Sequence, residues 1–443
     1  MTRLPFTLSL LLPLVTACEL KGITLTGGDP DEETTTGEGP GNSSNNPTTS
    51  VEPSTGTDGT TATDTTDGTT GEPPAPVTAV DILFVIDNSG SMASRQSQLA
   101  SSMPALLADL DDLDLRIAVT TTDMGNPRCS PAQTKPAGGS FVLRSCVEAV
   151  AEGLFSFNGE DFSSACTNKC ALPDLAITPT TTALDPEPRP RRWLERTGGS
   201  LNVDADLVDA LACALPQGVA GCGFESPLEA MAKALELTGF ADSLSNHGFL
   251  RPEADLRIIF VTDEADCSYV PEFADIFTTN KTFWPDPESP GPSSAVCFNA
   301  GVKCEGAGPT YSSCESADFA SDGALTPDPE QAVLRPVSNY VQVLQDIQAT
   351  KTGGASVQLF AIAGVPIGFE TGNVPLVYAD DPDPSQQELF GIGPGCVVPD
   401  EVDGGAIPPS RLLDFAAAVG TPRFYSICDS SYDAAMAAAG AAP

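Results

Sequence analysis

Two short stretches concentrate the oxygen-bearing side chains of this sequence. Asp87, Ser89 and Ser91 alternate through the turn Asp87-Asn88-Ser89-Gly90-Ser91, and Asp263 closes the run Ile258-Ile259-Phe260-Val261-Thr262-Asp263. Carboxylates and hydroxyls without nitrogen or sulfur are hard ligands that suit Mg²⁺, Ca²⁺ or Mn²⁺. Two aspartates gathered in one crevice repel each other unless they are protonated or bridged, and a cation is the simplest bridge. The single histidine, His247, lies in the turn-like segment Ser245-Asn246-His247-Gly248. Zinc hydrolases draw on two or three imidazoles, and a Ser-His-Asp triad would have to be built on that one residue, so neither is expected.

The elements that must position these groups can be read from the apolar pattern. Residues 80–86 form a nearly continuous apolar run with β-branched members, the mark of a parallel strand buried on both faces. A helical pattern follows, with Leu99, Met103, Leu106, Leu107 and Leu110 at three-and-four spacing. Strand-like runs recur at 115–119, 256–261, 357–363 and 423–427, and helical patterns lie at 225–237, 333–347 and 412–419, the last with Ser410 as expected N-cap and Gly420 as stop. Alternating strands and helices predict an α/β fold, a doubly wound, mostly parallel sheet flanked by helices. In such folds the carboxyl ends of neighbouring strands share one crevice, so Asp87 and Asp263 can meet although far apart in the chain. The alternative is that Asp87 and Ser89 serve as caps of the helix that follows them.

With that context, the run ending in Asp87-x-Ser89-x-Ser91 and the later strand ending in Thr262-Asp263 resemble the metal-ion-dependent adhesion site (MIDAS) of von Willebrand factor A (VWA) domains. The resemblance covers roughly residues 78–443. It implies that Asp87, Ser89 and Ser91 ligate the ion from the first loop and Asp263 from the later strand. The family places a threonine ahead of the helix that precedes that strand. Counting back from the helix in Gly221-Cys222-Gly223-Phe224-Glu225-Ser226-Pro227 puts Glu225 in its place. As a ligand, Glu225 would bring a third carboxylate, neutralising the ion and weakening its pull on a partner's carboxylate; otherwise it would serve the helix dipole. Ser226, Glu264, Asp266 and Asp123 are expected at the rim of this centre or behind its ligands.

Composition sets the compartment and the partners. The 443 residues carry 21 basic and 60 acidic side chains, a formal net charge of -39. Nucleic acid is thereby excluded as an expected partner, because phosphate binding needs clustered Lys and Arg. Residues 1–17 read as an export signal, with Arg3 ahead of an apolar stretch too short to span a membrane. The ending Leu14-Val15-Thr16-Ala17-Cys18 resembles a bacterial lipobox, which implies lipidation of Cys18 and, from Glu19, the outer membrane or cell surface. Residues 18–77 are expected to be a disordered Thr/Gly/Ser/Pro tether, since almost nothing in them can offset the entropy of ordering. Of 13 cysteines, twelve remain for disulfides in long insertions at about 125–173, 267–314 and 365–396. Cys166 with Cys170, and Cys213 with Cys222, are the plausible local pairs.

Three functions stay open at this point. The first is a non-enzymatic envelope module that uses a divalent cation to bind another envelope or extracellular protein or a surface polymer, touching membrane only through its lipid. The second is a metal-dependent extracytoplasmic hydrolase with Glu225 or Glu264 as base. The third is a purely structural cation site.

Overall fold

The computed structural model describes residues 77–398, 405–420 and 423–442. The chain divides into a unit from Met1 to Thr70 and one from Gly71 to Pro443, and every described residue belongs to the second. The export signal, Cys18 and all of the expected tether except Val77 therefore lie outside the described residues.

Strand β1 (Ala79–Ile86) lies at the centre of a seven-stranded sheet and is buried along its whole length. The others are β2 (Asp114–Thr121), β3 (Trp193–Thr197), β4 (Ser200–Leu201), β5 (Asp255–Val261), β6 (Val357–Ala363) and β7 (Phe424–Ser426). Their spatial order is β7-β6-β5-β1-β2-β3-β4, parallel from β7 to β2 and antiparallel at the β3–β4 edge. That edge is a hairpin closed by Gly198 and Gly199, both at positive φ (56° and 80°), the backbone a two-residue turn with the right twist requires.

Alternation along β1 divides the core. Val80, Ile82, Phe84 and Ile86 pack with helices α1 (Ala93–Ser101), α2 (Met103–Leu107), α3 (Leu207–Ala214) and α7 (Asp433–Gly440). Leu83 and Val85 pack on the opposite face with α4 (Pro227–Leu237), α5 (Val337–Thr350) and α6 (Ser410–Val419). Cover on both faces is why these strands read as unbroken apolar runs. Each fully buried Leu or Ile contributes about 1.5–3 kcal/mol, and truncating Phe84 to Ala would cost about 3–5 kcal/mol. One member of the β1 run is charged: Asp81 is fully buried and held by Arg251 through a 2.9 Å Nε bond and an NH2 contact at 2.8 Å.

Local chemistry sets the helix ends. The expected first helix is two helices, because Ser102 leaves helical geometry and Pro104 can enter only at the start of a new one. Pro336 likewise delays α5 to Val337. Ser410 is already helical with Pro409 in the cap position, which corrects its expected role as N-cap, while Gly420 ends α6 at φ 92° as expected.

The long insertions leave from the carboxyl ends of β2, β5 and β6 and form small cores of their own around disulfides. All twelve cysteines from Cys129 to Cys428 are paired: Cys129–Cys222, Cys146–Cys166, Cys170–Cys213, Cys267–Cys297, Cys304–Cys314 and Cys396–Cys428. The expected local pairs Cys166–Cys170 and Cys213–Cys222 are not formed. Cys166 sits in a single helical turn facing Cys146, leaving Cys170 to reach α3, while Cys222 ties the loop before α4 to the insertion after β2.

Candidate metal centre

Sheet register brings the candidate residues together. Ile86 lies opposite Thr121 on one side and Val261 on the other, so the next residues, Asp87, Thr122 and Thr262, form one row at the carboxyl edge. Asp87 continues the ladder by donating its N–H to the Val261 carbonyl at 2.9 Å, and its own carbonyl accepts the Gln96 side chain at 2.8 Å. The chain order switches direction at β1, the position where open α/β sheets place their binding crevice.

Within that crevice the side chains interlock. Asp87 Oδ1 accepts the Ser89 N–H at 2.8 Å, and Oδ2 accepts the Thr262 hydroxyl at 2.7 Å. Ser89 and Ser91 hydroxyls lie 3.3 Å apart, and Ser91 donates to Asp263 Oδ1 at 3.1 Å. Glu225 Oε2 accepts the Thr122 hydroxyl. Its other oxygen, Oε1, and Asp263 Oδ2 are buried with no hydrogen-bond partner among the described residues. Of these side chains only Ser91 is exposed, so it marks the way in.

The capping alternatives do not match this geometry. Helix α1 has no side-chain cap, since Asp87 closes an Asx-type turn on Ser89 instead. Glu225 precedes α4 by two residues and points to Thr122, leaving Glu229 as the acidic group of the first turn.

Burial and mutual repulsion both favour protons on these carboxyls. Burial raises Asp87, against the pull of hydrogen bonds from Thr262, Ser89 and the neighbouring Glu225 carboxyl, with which it can share a proton while no cation is bound. Burial, then the charges of Asp87 and Asp123, drives Glu225 well above the usual carboxylate range. Burial and then Asp87 push Asp263 up to about 7, with Arg95 opposing. Glu264 is raised by desolvation and by Asp263, although part of its surface remains open.

The surrounding residues divide. Glu264 borders the centre. Asp123 organises the loop beside it, accepting the N–H groups of Gly125 (2.8 Å) and Cys222 (3.2 Å). Ser226 turns away to donate to the Cys267 carbonyl at 2.9 Å. Asp266 is not a rim charge: it is buried, pairs with Arg411 at 2.9 Å, and accepts the Leu228 N–H that opens α4. Thr122 and Thr262, neither of them expected as a site residue although Thr262 stands in the Thr262-Asp263 motif, are direct partners of the carboxylates, and Thr122 carried no signal beyond its position at a strand tip. His247 belongs to the other end of the sheet, where the next residue's carbonyl accepts from Arg116, six residues and roughly 20 Å up β2 from Thr122.

An all-oxygen set with two orphaned buried carboxylate oxygens fits a hard divalent cation. Sulfur offers no competing site. Among the described residues, the trio of acidic, His or Cys ligand atoms lying within 4.8 Å of one another is Cys146, Cys166 and Cys170, all spent in disulfides. Asp87, Glu225 and Asp263 do not form such a trio on their own, and the hydroxyls of Ser89, Ser91, Thr122 and Thr262 bond among or to them. An open cleft of about 980 Å³, lined by residues including Arg144, Arg192, Phe240 and Leu244, lies elsewhere and includes none of these side chains.

The chain matches no protein-family model and no curated protein. Among solved structures it is similar to the pilus adhesin SpaC from Lactobacillus rhamnosus GG, at 10% identity and a TM-score of 0.21, over 65% of this chain and 25% of that one. It thus bears a weak structural likeness to a bacterial surface adhesin, of which it spans about a quarter. No helix among the described residues is long and apolar enough to cross a membrane.

Proposed function

We propose that this chain is a VWA-like domain, built on a doubly wound sheet, that holds a divalent cation at its carboxyl edge and uses it to bind a protein or polymer at the cell envelope. Asp87, Ser89, Ser91 and Asp263 hold the ion, and Glu225 takes the place of the family's threonine. Mg²⁺, Ca²⁺ and Mn²⁺ all suit the donors. The observation that carries the reading is that Glu225 Oε1 and Asp263 Oδ2 are buried without a hydrogen-bond partner, in carboxyls that both feel the charge of Asp87. Unpaired buried carboxylates are costly, and a hard cation offsets that cost. When bound, it supplies a Lewis-acidic position for a partner's oxygen, and Ser91 opens that position to the surface. No catalytic role is assigned to the surrounding residues.

The rigid, disulfide-stapled insertions around the edge supply the rest of the binding face. The chain is anchored through lipid on Cys18, so Cys18→Ser should move it out of the detergent phase; unchanged partitioning contradicts the anchor. The binding role is tested by capture from envelope extract with and without chelator. Chelator-sensitive retention that Asp87→Ala abolishes supports it, and retention indifferent to both refutes it.

A further inference from the structure

The insertion after β2 sends a two-residue-strand hairpin, Ser156–Phe157 against Glu160–Asp161, over the metal loop. Its turn residues Asn158 and Gly159 sit at φ 51° and 84°, so the reversal is tight, and the Cys146–Cys166 disulfide brackets it in sequence. Phe157 lies at this tip with its ring against Gly90. A Cβ placed on Gly90 would fall 2.6 Å from ring atom Cδ1 and 2.7 Å from Cζ, so the glycine is what lets the ring lie there. Yet Phe157 is still 39% exposed. Gly90 is flanked in the chain by Ser89 and Ser91, so an open aromatic surface stands beside two of the oxygens assigned to the cation.

The charges around that surface select among ligands. Four carboxyl groups, Asp87, Glu225, Asp263 and Glu264, stand close enough to act on one another, and against them stand the two charges of a divalent ion and the one guanidinium, Arg95, that acts on Asp263. The loaded centre therefore keeps negative charge within a chain of net charge -39. An anionic donor is repelled both locally and at long range. A neutral oxygen donor is not.

We propose that the ligand of this site is a neutral polysaccharide, whose sugar hydroxyls meet the cation while the C–H face of the ring lies on Phe157. This rests on the cation-binding reading above. A sugar ring combines adjacent neutral oxygens with an apolar C–H face, and an aromatic side chain supplies large, rigid contact area at little entropic cost.

The test uses the full exported chain, beads coated with dextran, mannan or galactan, and control beads coated with hyaluronan or albumin, each with Ca²⁺, with Mg²⁺ or with chelator. Cation affinity is measured separately by calorimetry. The expected result is cation-dependent retention on at least one neutral polysaccharide, at least tenfold above hyaluronan and albumin. Phe157→Ala should weaken it at least tenfold with cation affinity unchanged, and Phe157→Trp should preserve it. Equal or stronger retention on hyaluronan or albumin overturns the proposal, as does absence of retention on all three neutral polymers, or Phe157→Ala retained like the unmodified chain. If cation binds but these outcomes appear, only the sugar assignment fails; if no cation binds, the underlying reading fails with it.

Discussion

Replacing Asp263 by Asn should stabilise the metal-free domain near neutral pH and destroy its response to cation. In the folded chain Asp263 titrates at about 7, because it is buried and faces Asp87; unfolded, it titrates near 3.9. A carboxyl whose folded pKa is raised binds more protons in the native state, so its contribution is fully present below about pH 4 and is lost as pH rises through about 7. Each pH unit in that window costs about 1.4 kcal/mol, which makes the ionisable group a liability of about 3–4 kcal/mol at pH 7. Asparagine keeps the shape and an oxygen for the Ser91 hydroxyl, which donates at 3.1 Å, without that penalty. Urea unfolding in chelator, disulfides intact, should show both forms equal within about 1 kcal/mol at pH 3.5 and the variant more stable by about 2–4 kcal/mol at pH 7. Saturating cation should reverse the order at pH 7, since a ligand that binds only the native state stabilises it. A variant no more stable than the unmodified chain at pH 7 in chelator, or one still stabilised by cation like the unmodified chain, would refute the reasoning.

Glu225→Thr removes one carboxylate from the crevice and should lower cation affinity at least tenfold while raising metal-free stability at pH 7; unchanged affinity in calorimetry would return Glu225 to a purely structural role. Peptide mapping under non-reducing conditions should recover Cys129 linked to Cys222 and Cys170 linked to Cys213, and a Cys213–Cys222 or Cys166–Cys170 peptide would contradict the fold of the insertions. Arg411→Ala strands the Asp266 carboxylate in the protein interior and should cost about 3–5 kcal/mol in urea unfolding; a loss below about 1 kcal/mol would show that the pair does not brace α4.

The central sheet was legible because its strands are covered on both faces: a run such as 80–86 has few other uses. The same logic hid Asp81, whose charge is matched by an arginine 170 residues later that no local pattern reveals. The β3–β4 hairpin carried a readable Gly198-Gly199 turn and was missed because its strands are short and Glu195 and Arg196 interrupt the apolar pattern. Asp87, Ser89, Ser91 and Asp263 were legible from type and position at strand ends. Thr122 and Thr262 were not, since threonine is an ordinary strand residue and only register shows which one meets a carboxylate. Asp266 was placed at the rim or behind the ligands, and its pairing with Arg411 was not legible because that partner is 145 residues away. Cysteine pairing failed for a related reason: nearness in sequence does not set which sulfurs a compact insertion brings together.

Whether the carboxyl edge binds an ion is tested most directly by calorimetric titration of Ca²⁺ and Mg²⁺ into the unmodified chain and Asp87→Ala at pH 7.5. Asp87 sits at the centre of the row, bonded to Ser89 and Thr262, so its loss should abolish binding. The prediction is a single saturable site for at least one of the two ions in the unmodified chain and none in the variant. Identical titrations for the two proteins, or no heat beyond dilution in either, would contradict it.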